Sequence, residues 1–167
     1  MGAERDSSEV PVDEECKKAA KKAMDLLLQQ DRTEKNLRDR LYRSGFSEKA
    51  SEYAIQYVVH FGYVDDLRYA QNYISFHKEN RSKKEMRYKL IDRGVPPELV
   101  AEAFLEYEEE AECGALRSLL EKRLKGQRLS DMDYPAKDKL VAYFARKGYS
   151  LSSVRAVMRE WMEGEEE

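Results

Sequence analysis

The feature that most constrains this chain is an internal repeat with an offset of 49 residues. Two apolar anchors, a glycine and a following apolar residue recur at this offset, as Leu37, Leu41, Gly45 and Phe46 and then as Met86, Leu90, Gly94 and Val95. The anchors are four residues apart, which places them on one face of an α-helix, and the glycine suits a left-handed exit from that helix. A weaker third copy, at an offset of 54 from the second, is Leu140, Phe144, Gly148 and Tyr149. The chain is therefore expected to consist of tandem copies of one helical unit.

Each copy is predicted to contain a middle helix with one helix on either side. Thr33 and Ser82 are suited to cap the first two middle helices, while Ser47 and Pro96-Pro97 suit the start of the helices that follow. We predict an all-α fold of three tandem three-helix repeats packed into an elongated curved array, because a unit of about 45 residues is marginal alone. The predicted boundaries are a flexible N-terminal segment at 1–13, repeats at 14–62, 63–110 and 111–163, and an acidic tail at 164–167.

The charges of the chain are unevenly distributed. Its formal net charge is −3, but the segment Cys16–Gly94 carries +7 and the remainder −10. Much of the negative charge lies in the runs Glu102–Glu112 and Glu163–Glu167. Such runs are expected to be solvated or frayed, and the alternative is that they compete with DNA for the basic core.

A basic stripe is predicted on the middle helices of the first two repeats. Four register positions beside the anchors are basic in both copies, and Arg43 adds a further cation. The stripe consists of Arg32, Lys35, Arg38, Arg40 and Arg43 in repeat 1 and of Arg81, Lys84, Arg87 and Lys89 in repeat 2. The matching positions of repeat 3 are Pro135, Asp138, Val141 and Tyr143. Because the cations recur in only two of the three repeats, we infer that these two repeats face a polyanion or an acidic protein surface. We expect their stripes to line one continuous groove.

Acidic and aromatic residues near the stripe have more than one interpretation. Glu34 and Asp39 are placed to pair with Arg38 and Arg43 at helix spacing and so neutralise part of the stripe. Tyr42 lies next to the stripe on the first middle helix, and Tyr88 lies at a nearly equivalent position on the second. Stacking on bases is one role for them, and closure of the core edge is the favoured one.

Several classes of protein are not indicated by the sequence. It contains no P-loop, GxGxxG, GxSxG or HExxH motif, so no enzyme is predicted, and no cofactor or metal site is predicted either. Asp65-Asp66 precede a helix and are expected to cap it rather than to bind a metal. Cys16 and Cys113 lack the spacing of a disulfide framework or a zinc site. No leader or membrane span is indicated, so we expect a cytoplasmic protein.

A series of short motifs between Leu26 and Val100 has the order and spacing of a known family. The motifs are Arg32-Thr33-Glu34, Leu37-Arg38, Leu41, Gly45-Phe46-Ser47, Phe61-Gly62-Tyr63-Val64-Asp65-Asp66, Arg68-Tyr69-Ala70 and the run from Arg81 through Leu90 to Gly94-Val95. Through them the chain resembles the RecX family of bacterial recombination regulators. The resemblance implies tandem three-helix units and a monomeric modulator that lies in the groove of a RecA filament on single-stranded DNA. Members of this family bridge successive subunits and usually limit filament growth, and the basic positions would contact the filament protein or its DNA.

Two further functions are compatible with the same helices. One is an autonomous helical DNA-binding module, which predicts duplex binding without a filament. The other is a protein-only helical-repeat adaptor, for which nucleic acid is irrelevant to every affinity. The modest local charge disfavours tight autonomous DNA binding in physiological salt, because contacts with phosphates are screened.

Overall fold

The structure, a computed structural model, describes residues 13–167, and every regular element within this range is an α-helix. The helices are α1 (Glu14–Gln29), α2 (Glu34–Arg43), α3 (Glu48–His60), α4 (Asp66–His77), α5 (Lys83–Asp92), α6 (Pro97–Ala103), α7 (Glu109–Leu124), α8 (Tyr134–Arg146) and α9 (Leu151–Glu166). The predicted all-α fold is confirmed. Apart from Asp13, the N-terminal segment predicted to be flexible lies outside the described residues.

The helix ends follow from the capping residues seen in the sequence. The side-chain oxygens of Thr33 and Ser82 each accept the backbone N–H three residues ahead, at 3.1 Å. Each bond satisfies one of the donors that the first helical turn leaves without a partner. Gly45 and Gly94 leave α2 and α5 with φ angles of 89° and 91°, a conformation that costs glycine little.

Each group of three consecutive helices surrounds its own hydrophobic core. The middle helix of each group contributes its two predicted anchors, all of them buried: Leu37 and Leu41, Met86 and Leu90, Leu140 and Phe144. The prediction of three three-helix repeats is thereby confirmed. By compactness the described chain divides into two units, one ending at Asp66 and the other comprising Leu67–Glu167. The second and third repeats share the latter unit.

The acidic runs are more ordered than expected. α7 begins at Glu109, so part of the first run forms the opening turn of that helix, where carboxylates favourably oppose the positive end of the helix dipole. The second run belongs to α9, and the carboxylate of Glu165 accepts the backbone N–H groups of Leu129 at 2.7 Å and Ser130 at 2.9 Å. Most glutamates of both runs are exposed, so the expected solvation is confirmed, whereas the alternative of frayed segments is wrong for the residues within α7 and α9.

The described helices and cysteines carry no sign of a membrane span or a cross-link. No helix within residues 13–167 is long and apolar enough to cross a bilayer. Cys16, in α1, is a buried free thiol, and Cys113, in α7, is a half-buried one. Both side chains therefore act as small apolar groups in their cores.

Candidate functional site

The basic residues of α2 differ in exposure. Lys35, Arg40 and Arg43 are exposed, as expected for positions flanking the buried anchors. Arg32 is not, because only 8% of it is accessible and its guanidinium donates to Asn36 Oδ1 at 2.9 Å. Burial lowers the pKa of Arg32. The expected exposure of this residue is therefore wrong: its side chain is held inside the fold just before α2.

Arg38 lies on the basic face but is engaged by two carboxylates. Its guanidinium donates to Glu34 at 3.0 Å, four residues earlier in α2, and to Glu52 in α3. The predicted pairing with Glu34 is present. The hydrogen bond from the guanidinium to Glu52 raises the pKa of Arg38, and the bond to Glu34 raises it by a smaller amount. Its charge is largely neutralised within repeat 1, and the bond to Glu52 joins α2 to α3.

The basic residues of α5 divide in the same way. Lys84 and Arg87 are exposed, and Lys89 is half-buried. Arg81, just before the helix, forms an ion pair with Glu85 at 2.9 Å across one helical turn. The exposed cations of α5 are therefore Lys84 and Arg87.

The end of α8 approaches the start of α5, which places repeat 3 against repeat 2. The Ser82 hydroxyl donates to the carbonyl oxygen of Lys147 at 2.7 Å. Gly148 follows with a φ of 97°, and a Cβ added there would lie 2.5 Å from Ser82 Oγ and 3.3 Å from Lys84 Cβ. Only a glycine permits this separation without rearrangement. One serine thus caps α5 and contacts the next repeat.

A groove of about 520 Å³ lies beside this contact. Its lining includes Lys84, Glu85, Tyr88, Tyr143, Arg146 and Lys147. Repeat 3 has no cation at the four register positions of the stripe, yet it contributes two cations from the end of α8. The repeat pattern does not indicate Arg146 and Lys147, because they lie outside the register positions that the middle helices share.

Aromatic rings in this groove are placed in two different ways. Tyr143 is covered by a cation, since the guanidinium carbon of Arg123 is 3.9 Å from its ring centroid and Lys147 Nζ is 5.7 Å away. Tyr88 is 67% exposed and is not among the residues packed on the core of repeat 2. The favoured interpretation of this tyrosine, closure of the core edge, is therefore wrong. Tyr42 is less exposed, at 41%.

Asp66, the second residue of the acidic pair, makes a contact that the sequence did not predict. α4 does begin at Asp66, but the Asp66 carboxylate accepts the backbone N–H of Glu34, the first residue of α2, at 2.9 Å. Burial raises the pKa of Asp66. Within residues 13–167 no group of three or more histidine, cysteine, aspartate or glutamate side chains is placed to hold a metal ion. The structure thus assigns Asp66 a contact with the second helix of repeat 1.

Two family models match the chain. The model described as RecX, first three-helix domain, matches residues 19–57, and the model described as RecX, third three-helix domain, matches residues 110–158. Together they cover more than half of the sequence. They coincide with parts of the first and third helical groups of the structure.

Individual proteins and solved structures give the same likeness. A regulatory protein RecX of Amycolatopsis mediterranei is 32% identical over 92% of this chain and 88% of its own length. One from Clostridium botulinum is 28% identical over 88% of this chain and 68% of its own length. The crystal structure of RecX from Lactobacillus salivarius matches with a TM-score of 0.77 at 21% identity, covering 88% of this chain and 96% of that one. A second crystal structure of a regulatory protein RecX matches with a TM-score of 0.76 at 20% identity.

Proposed function

The chain belongs to the RecX family, and from that premise we propose that it is a regulatory protein which binds the RecA recombinase filament and inhibits its assembly, ATP hydrolysis and strand exchange. It acts as a monomer in the cytoplasm, without a cofactor and without catalysing a reaction. Its partners are the RecA subunits and the single-stranded DNA that they enclose. The effect of the protein on RecA then depends on the complementarity of the two binding surfaces and not on the making or breaking of covalent bonds.

The observation that carries this proposal is the recurrence of exposed cations at equivalent places on α2 and α5. Lys35 and Arg40 are exposed on the first helix, and Lys84 and Arg87 on the second. A filament presents identical subunits at regular intervals, so repeated contacts on a tandem-repeat protein are a natural match for it. Flexible lysines and planar guanidinium groups suit both carboxylate and phosphate partners.

The nine basic residues predicted from the sequence have different roles in this proposal. The exposed members contact the filament: Lys35, Arg40, Arg43, Lys84 and Arg87. Arg32, Arg38 and Arg81 instead maintain the local structure, because their guanidinium groups are already bonded within the repeats. Lys89 is half-buried and contributes at the edge of the contact.

The test is the single-strand-DNA-dependent ATP hydrolysis of the cognate RecA with increasing amounts of this protein. The wild type is expected to reduce hydrolysis in a dose-dependent way. The variants Lys35→Glu/Arg40→Glu and Lys84→Glu/Arg87→Glu are each expected to need at least about tenfold more protein for the same inhibition, equivalent to a loss of roughly 1.4 kcal/mol. Reversing a charge replaces attraction with repulsion at the same place.

A control with the same change of charge separates contact from net charge. Arg155 and Arg159 are exposed on α9 and belong to neither middle helix of the stripe, and Arg155→Glu/Arg159→Glu is expected to inhibit like the wild type. Equal loss in all three double variants would mean that total charge alone matters. No effect of the wild type on hydrolysis while filaments form normally would refute the proposal.

A further inference from the structure

The groove between α5 and the end of α8 combines exposed cations with an uncovered aromatic ring. We propose that it binds a single strand of nucleic acid directly, with one base stacked on Tyr88 and the neighbouring phosphates on Lys84, Arg146 and Lys147. This site needs no recombinase, and it includes residues of repeat 3 that the basic stripe does not contain. The inference therefore extends beyond the proposed function and can be tested separately from it.

The charge of the groove favours an anionic occupant. With an adjoining hollow of about 380 Å³, its lining has five cations, Lys83, Lys84, Arg87, Arg146 and Lys147, against two carboxylates, Glu85 and Glu112. Of the carboxylates, Glu85 is already paired with Arg81. The groove beside α4 and α6 has the opposite balance, one lysine, Lys78, against Glu102, Glu106 and Glu108. These two grooves therefore differ in the sign of their charge, and a polyanion would bind in the first.

The aromatic residue decides which kind of anion fits. Two-thirds of Tyr88 is exposed beside these cations, and no other aromatic ring or cation covers it within residues 13–167. The face of an aromatic ring carries partial negative charge, so it repels a carboxylate and does not help an acidic peptide to bind. A nucleobase stacks on such a face, and unpaired bases are free to do so. The combination thus favours single-stranded nucleic acid over an acidic protein segment.

The second tyrosine of the groove, Tyr143, contacts one of the three proposed phosphate-binding cations. Arg123 lies over the ring of Tyr143 at 3.9 Å, and Lys147 lies 5.7 Å from the same ring. Cation–π contacts of this kind restrain long side chains that would otherwise sample many rotamers. Tyr143 therefore positions positive charge next to the base site, and Tyr88 provides the stacking surface. The volume of about 520 Å³ falls within the range of sites for small ligands and so suits one nucleotide of a strand.

The experiment uses the full chain and a fluorescein-labelled oligothymidylate, with RecA absent. Fluorescence anisotropy at low salt is expected to give roughly tenfold weaker binding for Tyr88→Ala than for the wild type. Tyr88→Phe retains the ring face and is expected to bind like the wild type. Tyr42→Ala removes the tyrosine of repeat 1 and is expected to have no effect.

A second measurement reports stacking even where binding is weak. The chain has one tryptophan, Trp161, so the variant Trp161→Phe/Tyr88→Trp places the only indole in the groove. Oligothymidylate is expected to quench its fluorescence, and an abasic oligonucleotide of the same length is expected to leave it unquenched. Absence of quenching at saturation, or equal effects of Tyr88→Ala and Tyr42→Ala, would overturn the proposal. Equal affinity for abasic and normal strands would reduce the site to a charge contact and would also overturn it.

These outcomes are independent of the regulation of RecA. If Tyr88→Ala loses oligonucleotide binding but still inhibits ATP hydrolysis, base stacking on Tyr88 is not needed for the inhibition of RecA, and both proposals stand. If the wild type binds oligonucleotide but leaves RecA unaffected, the proposed function fails and the groove remains.

Discussion

At the scale of single residues, Arg38 shows how a cation on a basic helix face can serve the fold. Its side chain is 27% exposed, and its guanidinium bonds to carboxylates in both α2 and α3. Charge-assisted bonds of this kind are stronger than neutral ones, and removing one partner leaves the others without a counter-charge. Lys35, three residues earlier, is exposed. Neighbouring cations of one stripe therefore have different roles.

The first prediction concerns the stability contributed by Arg38. Arg38→Gln is expected to lower the free energy of unfolding by about 1 kcal/mol, because the link between α2 and α3 is lost while Glu34 and Glu52 remain. Lys35→Gln is expected to change it by less than about 0.5 kcal/mol, as is usual for exposed positions. Urea unfolding followed by circular dichroism measures both. A loss of RecA inhibition in Arg38→Gln without any loss of stability would assign Arg38 to the binding surface instead.

The second prediction concerns the protonation of Glu165 beside the only tryptophan. Partial burial raises the pKa of Glu165, but bonds from the N–H groups of Ser130 and Leu129 and from Trp161 Nε1 outweigh it, and the pKa lies below the ordinary 4.5. A lowered pKa means that these bonds stabilise the fold above pH 4.5 and are lost as the pH falls through the lowered value. Trp161 emission is expected to change in that acidic range.

The control for this titration is a pair of glutamine variants. Glu165→Gln cannot titrate and is expected to lack the fluorescence transition, whereas Glu163→Gln is expected to retain it. Far-ultraviolet circular dichroism over the same pH range separates a local change from unfolding. The same transition in Glu165→Gln would show that another group is responsible.

At the scale of helices, much of the structure could be predicted because it depends on local chemistry. Thr33, Ser82 and the glycines after the middle helices mark the ends of α2 and α5, and these signals act over only a few residues. The start of α7 could not be predicted from a capping residue in the same way. Glu108 occupies its cap position without a side-chain hydrogen bond, so the usual signal is absent. A run of glutamates then resembles a solvated segment, although the helix dipole favours it at this place.

The third prediction tests the close contact between α5 and the turn after α8. Gly148→Ala is expected to destabilise the protein by about 1–2 kcal/mol, because an alanine is strained in the left-handed backbone conformation at this position. Overpacking of the new methyl group against Ser82 is expected to add about 1 kcal/mol. Gly126 has a φ of 85° and nothing within 4 Å of an added Cβ, so Gly126→Ala is expected to incur only the first cost. Urea unfolding of both variants gives the comparison.

A double-mutant cycle identifies the contact itself. Ser82→Ala removes the hydroxyl that the new methyl group would meet, so the added cost of Gly148→Ala is expected to fall in that background. The cost of Gly126→Ala is expected to be the same in both backgrounds. Strict additivity of Ser82→Ala and Gly148→Ala would show that the close approach carries no energy.

At the scale of the whole molecule, the binding surface depends on which residues packing brings together. Sequence periodicity identified the repeats and their buried faces, and it placed Lys84 and Arg87 on an accessible side of α5. It could not place Arg146 and Lys147 beside them, because the separation of two repeats depends on contacts such as Ser82 with Lys147, between residues 65 positions apart. The groove is therefore a property of two packed repeats and is invisible in either one alone.

The last prediction follows from the difference between net and local charge. The net charge of −3 would oppose association with a polyanion, whereas the groove presents Lys84, Arg146 and Lys147 together. Three phosphate contacts with a single strand predict a slope of about −2 for the logarithm of the binding constant against the logarithm of salt concentration, or roughly twentyfold weaker binding for a fourfold rise in salt. Arg146→Glu/Lys147→Glu is expected to reduce the magnitude of the slope to below about 1, and Arg155→Glu/Arg159→Glu is expected to leave the slope unchanged. Equal slopes for the wild type and both variants would mean that Arg146 and Lys147 make no phosphate contacts. An equal reduction in both variants would mean that the strand responds to overall charge alone. Either result would overturn the assignment of the strand to the groove.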